Sequence, residues 1–168
     1  MPENLRASLD EMTGRDVPVE THAERLEEIG AVFPHSVRVL ATPSEEFNCV
    51  MHALGLIGRF EEPSGRPFGR YYADTAFLQT LIDRGVLRPD EEREGAVVTW
   101  SASGSIRHVG LVASPGRAVS KWGIGNLYEH GLLEAPASYG SDLAFYGPAD
   151  PEDAMDCLNR MYGVKPPE

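Results

Sequence analysis

Two short segments contain the residues best suited to chemistry. In the first, Asn48 and Cys49 open an apolar stretch that is typical of a helix. In the second, about sixty residues later, His108 lies in an apolar run that is typical of a β-strand. A thiol becomes a nucleophile when it ionises, and both a helix N-terminus and a nearby imidazolium lower its pKa. The pair therefore predicts a nucleophile, Cys49, with His108 as its general base.

A third polar side chain normally orients the imidazole of such a pair. The Pro115-Gly116 turn predicts a second strand that folds back beside His108, and Ser120 lies on that strand. Strand alternation then places Ser120 on the same face as His108, where its hydroxyl can bond the ring. Three other polar residues stay open as alternatives for this role: Asn126, Glu134 and Asp142.

One pattern of cysteine and histidine competes with this interpretation. His52 follows Cys49 by one helical turn, and Cys-x-x-His is one half of a familiar zinc-ligand pattern. No second pair with ligand spacing follows, so we expect no metal and favour a His52 that packs under the cysteine. A small metal-binding domain that uses Cys49 and His52 remains an alternative. The second cysteine, Cys157, reads as an ordinary buried thiol in a late helix.

The elements that must position these residues predict an α+β class, with helices first and an antiparallel sheet later. Residues 1–20 are polar and predict a loose or weakly helical lead-in, and residues 21–168 predict one domain. Residues 123–140 are rich in glycine and predict irregular structure. Helices are predicted near residues 21–29, 49–58, 74–85 and 150–163, and strands near 36–40, 96–100, 107–113, 117–122 and 142–146.

Composition excludes several classes of protein. The chain has 168 residues and a net charge of −11, and no basic run exists that would bind nucleic acid. No apolar stretch is long enough to predict a membrane span. The N-terminus lacks the regions of a signal peptide, so a cytoplasmic location is the default expectation. Export by a signal-independent route stays open.

The two segments together resemble the NlpC/P60 and CHAP branches of the papain-like superfamily. The histidine strand of NlpC/P60 proteins commonly reads His-Val-Gly-Ile, and here it reads His108-Val109-Gly110-Leu111. A second histidine usually follows about twelve positions later in that family, and Ser120 occupies this position here. The resemblance implies a nucleophile helix packed on an antiparallel sheet of about four to five strands.

A closer resemblance is to a bacterial group of papain-like proteins of unknown function. This group has an Asn-Cys helix start, a histidine strand, Ser-Lys-x-Gly, a later histidine and Tyr-Gly. The chain matches this order of motifs with Asn48-Cys49, His108, Ser120-Lys121-Trp122-Gly123, His130 and Tyr139-Gly140. We therefore expect Asn48, Lys121, Trp122 and His130 to contact substrate, against the alternative that Trp122 is a core residue and Lys121 is solvated.

The function expected from these residues is a cysteine hydrolase that cleaves an amide or related acyl bond through a thioester. The resemblance implies a peptide or amide-containing substrate, either a peptidoglycan stem peptide or a protein. Peptidase, amidase and deamidase activities are all compatible with it, and none needs a cofactor. A non-catalytic papain-like binding module is the competing expectation, favoured by the weak orienter at Ser120.

Overall fold

A computed structural model describes residues 2–42, 48–57, 73–123 and 125–161. This part of the chain forms an α+β fold with one six-stranded antiparallel sheet. The α-helices are α1 (Pro2–Met12), α2 (His22–Val32), α3 (Cys49–Ala53), α4 (Thr75–Asp83) and α5 (Pro151–Met161). The strands are β1 (Arg38–Ala41), β2 (Val97–Ala102), β3 (Ser105–Ser114), β4 (Arg117–Lys121), β5 (Leu127–Gly131) and β6 (Asp142–Tyr146).

The sheet is built around four consecutive antiparallel strands. Its order is β1-β5-β4-β3-β2-β6, so the meander from β2 to β5 is flanked by β6 on one edge and β1 on the other. The predicted sheet of four to five strands is therefore one strand too small. The missing strand is β5, which lies in the segment predicted to be irregular. Its alternating burial, with Tyr128 and His130 inside, comes from pairing with β4 rather than from any local apolar run.

Helices cover both faces of the sheet. Helices α3, α4 and α5 pack on one face, where Val97 and Val109 belong to the same core as Phe77 and Leu158. Helices α1 and α2 pack on the other side, against Trp122 and Tyr128. Because side chains alternate along a strand, β3 sends Val109 to the first face and His108 to the second.

The N-terminal segment is more regular than the predicted loose or weakly helical lead-in, because residues 2–12 form helix α1. Three apolar residues on one side of this helix, Leu5, Leu9 and Met12, are almost completely buried. Their spacing of four and then three residues is the period of an amphipathic helix, which the polar composition of the segment obscures. The N-terminal helix is therefore part of the core that supports the second face of the sheet.

Helix α3 is short and ends at Ala53, five residues before the predicted end. Gly55 has a φ of 68° and allows the chain to turn away from the helix axis. Helix α3 contacts both β3 and β4, which places its first turn over the middle of the sheet.

Candidate active site

Asn48 fixes the start of the nucleophile helix. Its side-chain oxygen accepts a hydrogen bond from the Met51 N–H at 2.9 Å, which is the capping interaction that asparagine favours at a helix start. Its amide nitrogen donates to the Ala73 carbonyl at 2.8 Å. Both ends of the amide are thus used to hold α3 against the start of α4. Asn48 is half-buried. Its role as a substrate contact stays a prediction.

The Cys49 sulfur lies among several groups that favour negative charge. Backbone N–H groups of Val109, Val50 and Cys49 itself point towards it, and the charge of Lys121 acts on it. Burial has the larger effect and raises the pKa of the thiol to about 11. The predicted lowering of this pKa is therefore wrong for this structure, because loss of solvation outweighs the polar contacts. Cys49 is a neutral thiol at neutral pH.

The sulfur occupies the place on β3 where β4 departs. Val112 bonds the β2 side of β3, since its N–H donates to Ala96 and its carbonyl accepts from Gly95. Backbone groups alternate in direction along a strand, so the Val109 N–H points to the β4 side. In the register that pairs Leu111 with Val119, Val109 stands opposite Lys121, the last residue of β4. The Val109 N–H thus reaches the sulfur of Cys49 at the strand edge, between the two faces of the sheet.

Lys121 is a completely buried lysine beside this sulfur. Its exposed fraction is 0 %, which excludes the alternative of a solvated side chain. Its Nζ donates to the Gly123 carbonyl at 2.7 Å. Burial lowers the pKa of Lys121 to about 8, and the charge of Cys49 opposes this shift. Because that pKa lies above neutral pH, Lys121 keeps its proton there and acts on Cys49 as a cation rather than as a base.

His108 is packed between aromatic rings on the second face. Its exposed fraction is 2 %, and its ring stacks on Tyr139 with centroids 3.9 Å apart and planes inclined by 13°. Trp100 packs against the same imidazole at a centroid distance of 5.2 Å. Burial, followed by the charge of His130, lowers the pKa of His108 well below its ordinary value. The imidazole is therefore neutral at neutral pH.

The buried Nε2 of His108 has no hydrogen-bond partner among the described residues. A buried nitrogen without a hydrogen bond lowers the free energy of unfolding by about 1–3 kcal/mol. Stability alone therefore does not favour a histidine at this position. The described contacts include no hydrogen bond between this ring and the Cys49 sulfur. Two indirect contacts connect Cys49 with His108. The N–H of Val109, the residue next to His108, points to the sulfur, and Tyr139, whose ring stacks on His108, has a pKa raised by burial and then by the charge of Cys49.

Ser120 makes different contacts from those predicted. Its hydroxyl lies 2.7 Å from Nε2 of His130 and accepts a hydrogen bond from Trp122 Nε1 at 3.1 Å. Nδ1 of His130 lies 2.8 Å from the Gly131 carbonyl, an acceptor, so this nitrogen carries the proton and Ser120 donates to Nε2. The expected bond from Ser120 to His108 is therefore absent. The register explains this, because Ser120 packs beside Gly110 and its hydroxyl is used within β4 and β5.

The three alternative orienters also have other surroundings. Asn126 donates to the Tyr128 hydroxyl at 3.1 Å, and Glu134 accepts from Ser36 and Gly131. Asp142 is exposed at the start of β6. Within the described segments, stacking on Tyr139 and packing against Trp100 are what hold the orientation of the His108 ring.

Besides Lys121, two further residues predicted to contact substrate are completely buried in this structure. Trp122 has an exposed fraction of 1 % and packs on Tyr128, while His130 has an exposed fraction of 0 %. Neither side chain has a surface here that a substrate can touch. Burial lowers the pKa of His130 to about 4, so this histidine is a neutral part of the network with Ser120 and Trp122.

The metal alternative gains no support from the described part of the chain. Within residues 2–42, 48–57, 73–123 and 125–161, no group of three or more His, Cys, Asp or Glu side chains is arranged to hold a metal ion. His52 is half-buried, and its pKa is lowered by burial and then by the charge of Lys121.

None of the described helices is both long and apolar enough to cross a membrane.

Tyr139 and Arg6 are the residues of this region that sequence reasoning did not single out. Tyr139 was noted only as part of the Tyr139-Gly140 motif, and nothing in the local sequence predicts that its ring contacts His108. Arg6 could have been noticed through the four-residue spacing of Leu5 and Leu9, which predicts a helix with Arg6 next to its apolar side.

One protein family matches the part of the chain that contains the described site. A model of the domain of unknown function DUF7689 matches residues 38–147, which span β1 to the end of β6 and include Cys49, Lys121 and His108. The chain belongs to the DUF7689 family. No curated protein matches, and no solved structure matches. Helices α1, α2 and α5 lie outside the matched residues of DUF7689.

Proposed function

We propose that this DUF7689 protein is a papain-like cysteine hydrolase that acts on an amide or related acyl bond. The observation that carries the proposal is the contact of the Cys49 sulfur with the N–H of Val109, the residue next to His108. This contact links the start of α3 to the histidine strand at the point where β4 leaves it. The order of these two elements along the chain is also that of the papain-like hydrolases that the sequence resembles.

The pKa directions at the site favour a particular form of the first chemical step. The thiol and the imidazole are both neutral at neutral pH, because burial raises the pKa of Cys49 and lowers that of His108. His108 therefore accepts the thiol proton while the sulfur attacks the acyl carbon, rather than keeping a preformed ion pair. The vacant Nε2 is the atom suited to accept this proton.

The remaining steps follow from the same two residues. The imidazolium of His108 gives its proton to the leaving amine, and a thioester forms between the acyl group and Cys49. Water then attacks the thioester, with the neutral imidazole accepting one of its protons, and releases a carboxylic acid and the free thiol. The sum is amide and water converted to acid and amine, which needs no cofactor.

Negative charge on the sulfur is stabilised by fixed polar groups. The N–H groups of Val109, Val50 and Cys49 point towards it, and Lys121 supplies a buried positive charge. Such preorganised donors act strongly where water is excluded. We expect the substrate to be a peptide or another amide, of which a peptidoglycan stem peptide or a protein side-chain amide are examples.

A non-catalytic binding module is the second candidate. Two observations favour it: burial raises the pKa of Cys49 to about 11, and the hydroxyl of Ser120 is committed to His130 instead of His108. In this alternative the site contacts an amide-containing ligand without attacking it. The candidates differ in one testable respect, which is whether folding makes Cys49 a better nucleophile.

An acylation assay on Cys157→Ser protein tests the proposal, because Cys49 is then the only thiol. Native protein should be acylated by p-nitrophenyl acetate and by peptide thioesters faster than the same chain in urea, with the acyl group on Cys49 by mass spectrometry. His108→Ala should slow this reaction by about 10²- to 10⁴-fold, the usual contribution of a general base.

The control is a second substitution at the same depth in the sheet. Ser120→Ala should slow acylation far less than His108→Ala, because its hydroxyl serves the His130 network. Native acylation no faster than that of the unfolded chain, with His108→Ala unchanged, would refute the hydrolase and leave the binding module. Muropeptides and glutamine-containing peptides then separate peptidase from deamidase activity by the product, an amine or ammonia.

A further inference from the structure

Helix α1 is hydrogen-bonded to the segment that contains Tyr139. The guanidinium of Arg6 is nearly buried and donates to three backbone carbonyls, those of Ala135 at 2.9 Å, Pro136 at 3.2 Å and Gly140. These carbonyls lie on both sides of the 3₁₀ turn Ala137–Tyr139. One side chain from the N-terminus therefore fixes both ends of this turn, with charge-assisted hydrogen bonds that are stronger than neutral ones.

Two further contacts hold the same turn. Asp10, one helical turn after Arg6, accepts a hydrogen bond from the Ser138 N–H at 3.2 Å and another from its hydroxyl. On the opposite side Gly140 lies so close to β2 that a Cβ there would be 2.1 Å from the Ser101 carbonyl oxygen. The turn is thus held between α1 and the sheet, with little freedom to move.

The clamped turn places Tyr139 on the general base of the proposed reaction. The phenol ring stacks on the His108 imidazole with ring centroids 3.9 Å apart, and the pKa of the phenol is raised by burial and then by the thiolate form of Cys49. Among the described residues no side chain is hydrogen-bonded to the His108 ring, so ring stacking takes the place of the hydrogen bond that usually orients such an imidazole.

We propose that α1 is a positioning element for His108, in which Arg6 and Asp10 act through Tyr139. The proposal rests on the proposed function for the role of His108. Arg6 and Asp10 lie outside the residues of the DUF7689 match, so the positioning device includes a helix that the family match does not cover. Arg6 is a positioning residue, because it touches neither the sulfur nor the imidazole. By holding the phenol in place, α1 keeps the ring of His108 in one orientation and keeps water from its face.

NMR of histidine-labelled protein tests the device without any substrate. In wild-type protein the His108 ring protons should show the ring-current shift of a stacked phenol, and the pKa should be low. Tyr139→Phe should preserve both, since the Tyr139 hydroxyl makes no hydrogen bond to the described residues. Tyr139→Leu should abolish the ring-current shift and move the pKa of His108 towards its ordinary value, because water then reaches the imidazole. Arg6→Gln should have the same direction of effect.

Arg15→Gln is the matched control, because Arg15 is an exposed arginine of the same N-terminal segment. If Arg6→Gln does not fold, Tyr139→Leu and Asp10→Asn, compared with Tyr139→Phe, decide the question. Loss of the shift in Tyr139→Leu together with an unchanged His108 in Arg6→Gln or Asp10→Asn would overturn the role of α1. An unshifted His108 in wild-type protein would overturn the stack itself.

The acylation assay separates this inference from the proposed function. If the protein is catalytic, Arg6→Gln and Tyr139→Leu should lower kcat about tenfold with little change in KM, whereas Tyr139→Phe should keep the wild-type rate. If Cys49 is never acylated but the NMR changes occur as expected, the hydrolase fails and the α1 clamp on His108 stands. If acylation occurs and is insensitive to these substitutions, the hydrolase stands and the clamp has no positioning role.

Discussion

At the scale of single residues, the site is governed by competition between burial and polar contact. Three N–H groups and the Lys121 cation lower the pKa of Cys49, yet burial raises it overall to about 11. The same burial lowers the pKa of His108. Both shifts disfavour charge, so a neutral thiol and a neutral imidazole are the resting forms. A cysteine at the start of a helix is therefore not activated by that position alone.

The charge of Lys121 should be measurable through the ionisation of Cys49. Lys121→Met removes a buried cation beside the sulfur, so the thiolate of Cys49 should be less populated and alkylation by iodoacetamide should slow at pH below about 8, where Lys121 carries its proton. Alkylation of Cys49 and Cys157 is followed separately by peptide mass spectrometry, so Cys157 serves as an internal reference. Lys121→Arg should retain most of the wild-type rate, and Arg15→Met should retain all of it. Equal Cys49 rates in wild-type and Lys121→Met protein would show that the lysine does not act on the thiol.

At the scale of elements, the turn between β5 and β6 is held from two sides near the site. It is held by α1 through Arg6 and Asp10 and is pressed onto β2 at Gly140. Gly140 has a φ of 86°, a conformation that L side chains rarely adopt. The turn contributes Tyr139 to the stack on His108, so its backbone geometry is linked directly to the candidate base.

Gly140→Ala should therefore be severely destabilising, by more than about 4 kcal/mol, because a backbone clash adds to the cost of the positive φ. Gly116→Ala is the matched control: its φ is 80°, but nothing lies within 4 Å of the added Cβ. This control should cost about 1–2 kcal/mol, which is the conformational term alone. Urea unfolding of both variants measures the difference, and equal losses would mean that the turn is not pressed onto β2.

At the scale of the whole molecule, buried neutral histidines link folding to pH. His22, His52, His108 and His130 all have lowered pKa values, with burial as the largest cause. Between the unfolded and folded pKa values the unfolded chain binds more protons, so stability falls as pH decreases. Glu129 and Glu134 also have lowered pKa values and add to the loss of stability in acid.

For His130 alone the pKa falls from 6.5 to about 4, so its contribution is complete above 6.5 and is lost progressively down to about 4. This amounts to about 3 kcal/mol at 1.36 kcal/mol per unit. Urea unfolding at about pH 7.5, 6, 5 and 4 should show the decline. His130→Gln should be less stable at neutral pH, because it disturbs the bond with Ser120, but should show a shallower decline with pH. A pH dependence identical to wild type would contradict the assignment to His130.

The sequence by itself determined the α+β class, most element positions and the two residues that carry the candidate chemistry. These features depend on local signals: Asn48 and Asp74 cap their helices with their side chains, and the apolar runs of β2 and β3 are visible without any partner. Helix α1 was also encoded locally, in the spacing of Leu5, Leu9 and Met12, but the segment was predicted to be only loose or weakly helical because polar residues outnumber these three.

Only the tertiary structure decided the surroundings of the site. Strand β5 has a weak local pattern and forms because β4 and β1 supply its hydrogen bonds. Ser120 binds His130 instead of His108 because the register of β4 and β5 brings that pair together. The direction of the Cys49 pKa depends on how much water reaches the sulfur, and the position of Tyr139 depends on an arginine more than a hundred residues earlier. Burial and long-range contact set these properties, and neither is a function of local sequence.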